Sequence, residues 1–158
     1  MALVDRVFLD TSVLLGGLIE IGPAVESAQT LMTALAEGRM PETVTAWHCC
    51  LEFYSVSTRL PPEFRLIPKD SLLLIEEEIA GRMRVHDLPV GERLEFLRHA
   101  SGERIVGGRI YDAHIAAIAR SAEVGVVVTE NPRHFGSLRA HGIAVETANE
   151  YVARASLE

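Results

Sequence analysis

Three acidic residues, Asp10, Glu52 and Asp112, fall in three separated places where a carboxylate has chemistry open to it. Asp10 directly follows the apolar run Val7-Phe8-Leu9, where a buried strand would hand over to a helix start at Asp10-Thr11-Ser12. Glu52 lies in Leu51-Glu52-Phe53-Tyr54, inside an otherwise apolar helix start, and Asp112 opens a strongly helical segment. Each has a plainer reading: Asp10 and Asp112 as helix caps, Glu52 as part of a solvated face. Together they offer what a hard cation such as Mg²⁺ needs, several carboxylate oxygens around one point, and such centres cut phosphodiesters. The spacing is not a local motif, so on the residues alone both readings stand.

The elements that must position these acids alternate in type. A strand at Val7-Phe8-Leu9 leads into a helix through Val13, Leu14, Leu15 and Leu18, stopped near Gly22-Pro23. A second amphipathic stretch covers Ala24 to Ala36, with Gly38 as its cap, and Thr43-Val44-Thr45-Ala46 is β-prone. Helical spacing resumes from His48 to Leu60 and breaks at Pro61-Pro62. Asp70 is an N-cap candidate for a helix over Ser71 to Ala80, followed by a short strand Arg84-Val85-His86 and a helix from Gly91 to His99. The glycines at 102, 107 and 108 mark Ser101 to Arg109 as a loop. A helix then starts at Tyr111 and ends before Gly125, and Val126-Val127-Val128 is the clearest core strand. A turn from Thr129 to Pro132, a short helix near Arg133 to His141, a strand Ile143-Ala144-Val145 and a C-terminal helix complete the chain. Strands alternating with helices predict an α/β fold with a central parallel sheet covered on both faces. Sites in such sheets gather at the carboxyl ends of the strands, which puts Asp10 and the Thr129 turn on one rim.

Composition bounds the answer without choosing it. A chain of 158 residues, 48% of them apolar, suits one domain, taken as residues 1–156, with Leu157-Glu158 given no functional weight. No apolar run approaches the roughly 18 residues of a membrane span. No basic stretch leads into an apolar one before Asp10, so a cytoplasmic location and no membrane partner are expected. The net charge of −7 argues at first against a nucleic-acid partner, but bound cations would reverse the local sign of a carboxylate site, so charge alone decides nothing. Of the 15 basic residues only Lys69 is lysine, and arginine suits planar phosphate contacts as well as surface ion pairs. The adjacent Cys49 and Cys50 fit reduced core thiols. Of the six histidines, His48, His114 and His134 lie closest in sequence to the acids, and none shows a zinc-ligand spacing with the cysteines.

Four blocks of sequence carry a resemblance. Phe8-Leu9-Asp10-Thr11-Ser12-Val13-Leu14-Leu15 resembles the opening of PIN-domain nucleases, and the helix around Glu52 is similar to the one bearing their second acid. Gly108-Arg109-Ile110-Tyr111-Asp112-Ala113-His114-Ile115-Ala116-Ala117 resembles the most recognisable stretch of that family. Val127-Val128-Thr129-Glu130-Asn131-Pro132-Arg133-His134-Phe135 resembles its last core strand and turn. The resemblance implies a three-layer α/β/α fold and a Mg²⁺- or Mn²⁺-dependent endoribonuclease acting on RNA, with Asp10, Glu52 and Asp112 as catalytic and metal-binding acids. It further implies a VapC-type toxin held inactive by a cognate antitoxin and often forming a homodimer. Ser12 and Thr129 would be polar neighbours of the site that orient water or a carboxylate by hydrogen bonds and, with Asn131, face the substrate, with turn capping as their plainer role. Arg109 would meet a substrate phosphate, or else form an exposed ion pair. Asn131 stands where the family often has a fourth acid, which leaves a second metal site open. Glu130, its neighbour, is expected to point elsewhere.

On this reading water attacks phosphorus in line and leaves 5′-phosphate and 3′-hydroxyl ends, with no covalent enzyme intermediate. An aspartate after a first strand also suits an aspartyl-phosphate nucleophile. The haloacid-dehalogenase-like pattern, however, wants a second aspartate two residues on, where Ser12 stands. The remaining alternative is a non-catalytic PIN-like RNA-binding or scaffold protein, for which Asn131 is the sole support.

Overall fold

The computed structural model describes residues 5–22 and 25–158. Five short strands, β1 (Val7–Leu9), β2 (Thr43–Ala46), β3 (Arg84–His86), β4 (Val126–Val128) and β5 (Ala144–Glu146), pair in the order β3-β2-β1-β4-β5, all parallel. The three central strands are buried throughout, as expected for continuous apolar runs covered on both faces, whereas β3 and β5 are edges and partly open. Around the sheet lie α1 (Thr11–Leu18), α2 (Glu26–Ala36), α3 (Trp47–Ser57), α4 (Pro68–Leu74), α5 (Arg93–Gly102), α6 (Arg109–Ser121) and α7 (Ala148–Ala155).

The path steps from β1 outward to β2 and β3, then returns across the sheet to β4 and on to β5. With the usual right-handed crossovers, the two directions place their helices on opposite faces, which gives three layers. Connections therefore leave the neighbouring strands β1 and β4 toward opposite faces, opening a crevice at their carboxyl ends. The β1–β4 register pairs Leu9 with Val128, so Asp10 and Thr129 are the first residues beyond the paired strands. The Asp10 N–H still donates to the Val128 carbonyl at 3.0 Å, which holds that end of β1 in line with its neighbour. Behind α1, Gly17 lies against α2 so closely that a Cβ would stand 2.3 Å from the Met32 side chain and 2.8 Å from the Ala28 carbonyl. Phe8, Phe53, Phe135, Ile115 and Ile118 are among the largest side chains filling the core.

Several boundaries differ from expectation. Pro68 takes the first turn of α4 and Ile67 is its cap, so Asp70 lies inside the first turn and does not cap it. The helix expected to reach Ala80 changes at Ile75 into a π-helical segment, Ile75–Ala80, which carries the fully buried Ile79. The helix expected over Gly91 to His99 begins as a 3₁₀ turn, Val90–Glu92, and α5 runs on through Ser101 and Gly102, shortening the expected loop. The segment expected as a short helix is a 3₁₀ stretch, Pro132–His141, and β5 lies one residue later than Ile143 to Val145. α3 stops at Ser57, short of Leu60. Leu157 is buried in the core, so packing continues one residue past the 1–156 boundary. Pro23 and Ala24, expected to end one helix and begin the next, lie outside the described residues, as does Met1 to Val4. No helix among the described residues is long and apolar enough to cross a membrane.

Candidate active site

Asp10, Glu52 and Asp112 line one cavity of about 260 Å³ at the β1–β4 crevice, together with Thr11, Ser12, Asn131, His134 and Phe135. Three elements supply the acids: Asp10 at the end of β1, Glu52 on α3 and Asp112 in the first turn of α6.

Asp10 occupies the N-cap position of α1, with extended backbone, but its side chain caps nothing. Instead Oδ2 accepts two hydroxyl hydrogen bonds, from Thr129 Oγ1 at 2.7 Å and from Ser12 Oγ at 2.9 Å. Both hydroxyls are themselves fixed: Ser12 Oγ accepts the Glu130 N–H, and Thr129 Oγ1 accepts the Asn131 N–H, each at 3.0 Å. The expected turn-capping role and the expected role beside the site are thus one arrangement. It locks Oδ2 and leaves Oδ1 free of hydroxyl partners among the described residues. Burial pushes the Asp10 carboxyl above its ordinary value of 3.8, against the pull of the Thr129 and Ser12 hydroxyls, and the Glu52 charge adds to the rise.

Asp112 caps nothing either, since Gly108 holds the cap position of α6. Its Oδ2 lies 3.0 Å from His134 Nδ1, and both side chains are about half exposed. Glu52 keeps 37% of its side chain exposed, 3.9 Å from His48 Nε2, so it borders the cavity and water at once. His48 in turn makes a 2.9 Å contact through Nδ1 with Nδ1 of His114 on α6, joining the two helices that carry Glu52 and Asp112. Burial, with the charge of His48, holds His114 below the ordinary histidine range. Sequence proximity marks these three histidines as neighbours of the acids, but not the Asp112–His134 contact or the His48–His114 pair. Residues on unlike elements give no spacing from which such contacts follow.

Asn131 lines the cavity, and Glu130 points away, accepting the Ala148 N–H at 3.0 Å at the start of α7. Arg109 is outside this cavity but borders an adjoining one that also reaches Asp112. Cys49 and Cys50 are buried free thiols, pushed up to about 12 and about 11 by burial.

The donor set fits a hard cation. Residues bearing three carboxylates line one small cavity, the oxygen ligands that such an ion prefers. Among the described residues no group of three or more acid, histidine or cysteine side chains is already gathered at metal-binding range.

This fold has counterparts. Residues 6–133 match the PIN domain, and the chain belongs to that family. Ribonuclease VapC27 of Mycobacterium tuberculosis is 31% identical over 108 residues, which cover 68% of this chain and 75% of that protein. Among solved structures, VapBC-1 from nontypeable Haemophilus influenzae superposes with a TM-score of 0.60 at 17% identity, over 91% of this chain and 98% of the other. VapC20 of Mycobacterium tuberculosis, a Sarcin-Ricin loop cleaving toxin, superposes with a TM-score of 0.61 at 13% identity, over 87% and 96%. At these identities the two structures speak for the fold.

Proposed function

We propose that the chain is a divalent-metal-dependent endoribonuclease, the toxin of a VapBC-type pair, acting in the cytoplasm. The observation that carries this reading is the convergence of Asp10, Glu52 and Asp112 on one cavity at the sheet's switch point. The likeness to Ribonuclease VapC27 supports RNA as substrate.

Asp10 and Asp112 hold Mg²⁺ or Mn²⁺, with Glu52 joining directly or through water. An ion held there would supply a water of lowered pKa and offset charge on the phosphate. Ser12 and Thr129 fix Asp10 Oδ2, which holds the carboxylate in one orientation at the cavity. Asn131 offers a neutral amide to substrate or water, and Arg109 a cation to a phosphate of the bound strand. In this reading water oxygen bonds to phosphorus as the P–O3′ bond breaks in line, the water gives up a proton, and the leaving oxygen takes one up, giving 5′-phosphate and 3′-hydroxyl ends.

The partner in this reading is a short antitoxin that places an arginine or lysine among the three acids, relieving the repulsion of crowded carboxylates. The name of the Haemophilus influenzae VapBC-1 structure supports a partnered state. A homodimer is the second association. Trp47, Leu51 and Tyr54 recur at helical spacing on α3 and are exposed, an apolar face suited to a second copy.

Cleavage of RNA by the purified protein tests the central claim. The expected result is cleavage that requires Mg²⁺ or Mn²⁺, stops with EDTA, resumes when the ion is restored, and yields 5′-phosphate ends on end-labelling. Cyclic phosphate ends, or activity that survives thorough chelation, would overturn it.

A further inference from the structure

The chain uses its arginines unevenly. Arg6, Arg39, Arg82, Arg84, Arg93, Arg98 and Arg154 each pair with a carboxylate. The other seven pair with no carboxylate among the described residues, and of these Arg109 and Arg133 are set apart by their place beside the acids. Both border the same open groove of about 700 Å³. The groove is the direct continuation of the acidic cavity, because Asp112 and His134 line both.

The two guanidiniums come from two of the elements that wall the groove, which α5 and the connection after it also line through His99, Glu103 and Ile105. Arg109 begins α6, one turn before Asp112, and Arg133 precedes His134 in the 3₁₀ stretch Pro132–His141. Ser137, one turn further along that stretch, adds a hydroxyl donor to the same lining. Apart from Asp112, the one acid in the lining is Glu103.

The cleavage cavity is too small for more than the reacting phosphate and its immediate surroundings. A polynucleotide bound there must carry its neighbouring phosphates out along the surface of an acidic protein, and each meets repulsion unless cations face it. Unpaired arginines answer that need, because their planar forks donate two parallel hydrogen bonds to phosphate oxygens. A groove of this volume has room for nucleotide-sized groups.

We infer that this groove is the exit path of the single-stranded RNA flanking the scissile phosphate, with Arg109 and Arg133 each gripping a backbone phosphate next to the cleavage site. The inference rests on the ribonuclease reading and adds to it the track of the substrate. The contacts are to backbone, so they set register and affinity without reading base sequence.

Binding can be separated from cleavage by using Asp10→Asn protein and a fluorescein-labelled single-stranded RNA, followed by anisotropy across a salt series. Arg109→Ala and Arg133→Ala, each in the Asp10→Asn background, are expected to raise Kd about tenfold, as for a lost charged hydrogen bond. Each is also expected to flatten the slope of log K against log salt by about 0.7, one single-strand phosphate contact. Arg109→Lys and Arg133→Lys should restore the slope. Arg120→Ala removes a cation from the far end of α6 and should leave both quantities unchanged. Alanine variants that bind like the parent, or that weaken binding without flattening the slope, overturn the groove and leave the nuclease reading intact. Asp10→Asn protein that binds no RNA at low salt, together with wild-type protein that cuts none, overturns both.

Discussion

Thr129 Oγ1 donates a 2.7 Å hydrogen bond to Asp10 Oδ2 across 119 residues of sequence, and Thr129 itself is fully buried at the rim. The bond exists because β1 and β4 are parallel neighbours in a register that ends both strands together, at Leu9 and Val128. Thr129 does not line the cavity and reaches it only through Asp10 and the Asn131 backbone. It is therefore a positioning residue for the most deeply buried carboxylate of the site.

Thr129→Val keeps the shape of the side chain and deletes both hydrogen bonds made by its hydroxyl. Metal affinity and cleavage rate are each expected to fall about 10- to 100-fold, as for other groups that orient a metal-binding carboxylate. The unfolding free energy should drop by about 1–3 kcal/mol, because the Asn131 N–H also loses its acceptor. Thr129→Ser should recover most of the activity. Calorimetric metal titration, cleavage kinetics and urea denaturation on both variants check this, and an unaltered metal affinity in Thr129→Val would remove Thr129 from its role.

Asp10→Asn and Asp112→Asn are each expected to abolish cleavage while leaving the circular dichroism spectrum unchanged, since an amide keeps the shape but not the anionic oxygen. Full activity in either variant would exclude that residue from the site.

Asp10 also sets a pH dependence of stability in metal-free protein. Its folded-state pKa is raised by burial, so the folded protein holds this proton more tightly than the unfolded chain. That contribution is fully present below the ordinary value of 3.8 and is lost as pH rises through the higher folded-state value. Asp10→Asn has no such proton to lose. In EDTA, the stability of the variant relative to wild type should therefore increase from about pH 4 toward neutrality, measured by urea unfolding. A constant difference across that range would contradict the assignment.

Asn131→Asp should tighten binding of a second Mg²⁺ or Mn²⁺, because it adds a carboxylate to the lining of the cavity that the three acids share. Calorimetry showing unchanged stoichiometry and affinity would mean that the side chain does not face the ions.

Much of this arrangement is legible in the amino-acid order, for a physical reason. β1, β2 and β4 are buried on both faces, so they are written as unbroken runs of apolar and β-branched residues, and their limits follow directly. The edge strand β5 has no such signature: Ile143 and Ala144 are both compatible with a strand, and only pairing with β4 fixes the limits. The π-helical Ile75–Ala80 has the composition of an ordinary helix, and its wider turn accompanies a tertiary demand, the full burial of Ile79. At the site, the placement of each acid is readable, but a cap or a solvated face explains it as well on the residues alone, and it is the resemblance that groups the three. His134 is not readable as a partner of Asp112, because its direction is set by a 3₁₀ stretch rather than by a regular period.

The order β3-β2-β1-β4-β5 also has a meaning in time. A chain emerging from the ribosome can pair β1 with β2 early, once Ala46 has been made, and can fold α1 onto α2 before that. The other side of β1 stays open until β4 arrives, and Asp10 has no Thr129 to hold it until most of the chain exists. Contacts this distant in sequence also form late when a finished chain folds. A product cut short before Thr129 therefore carries the first acid but not the clamp that aims it, and the site is complete only in chains that have nearly been finished.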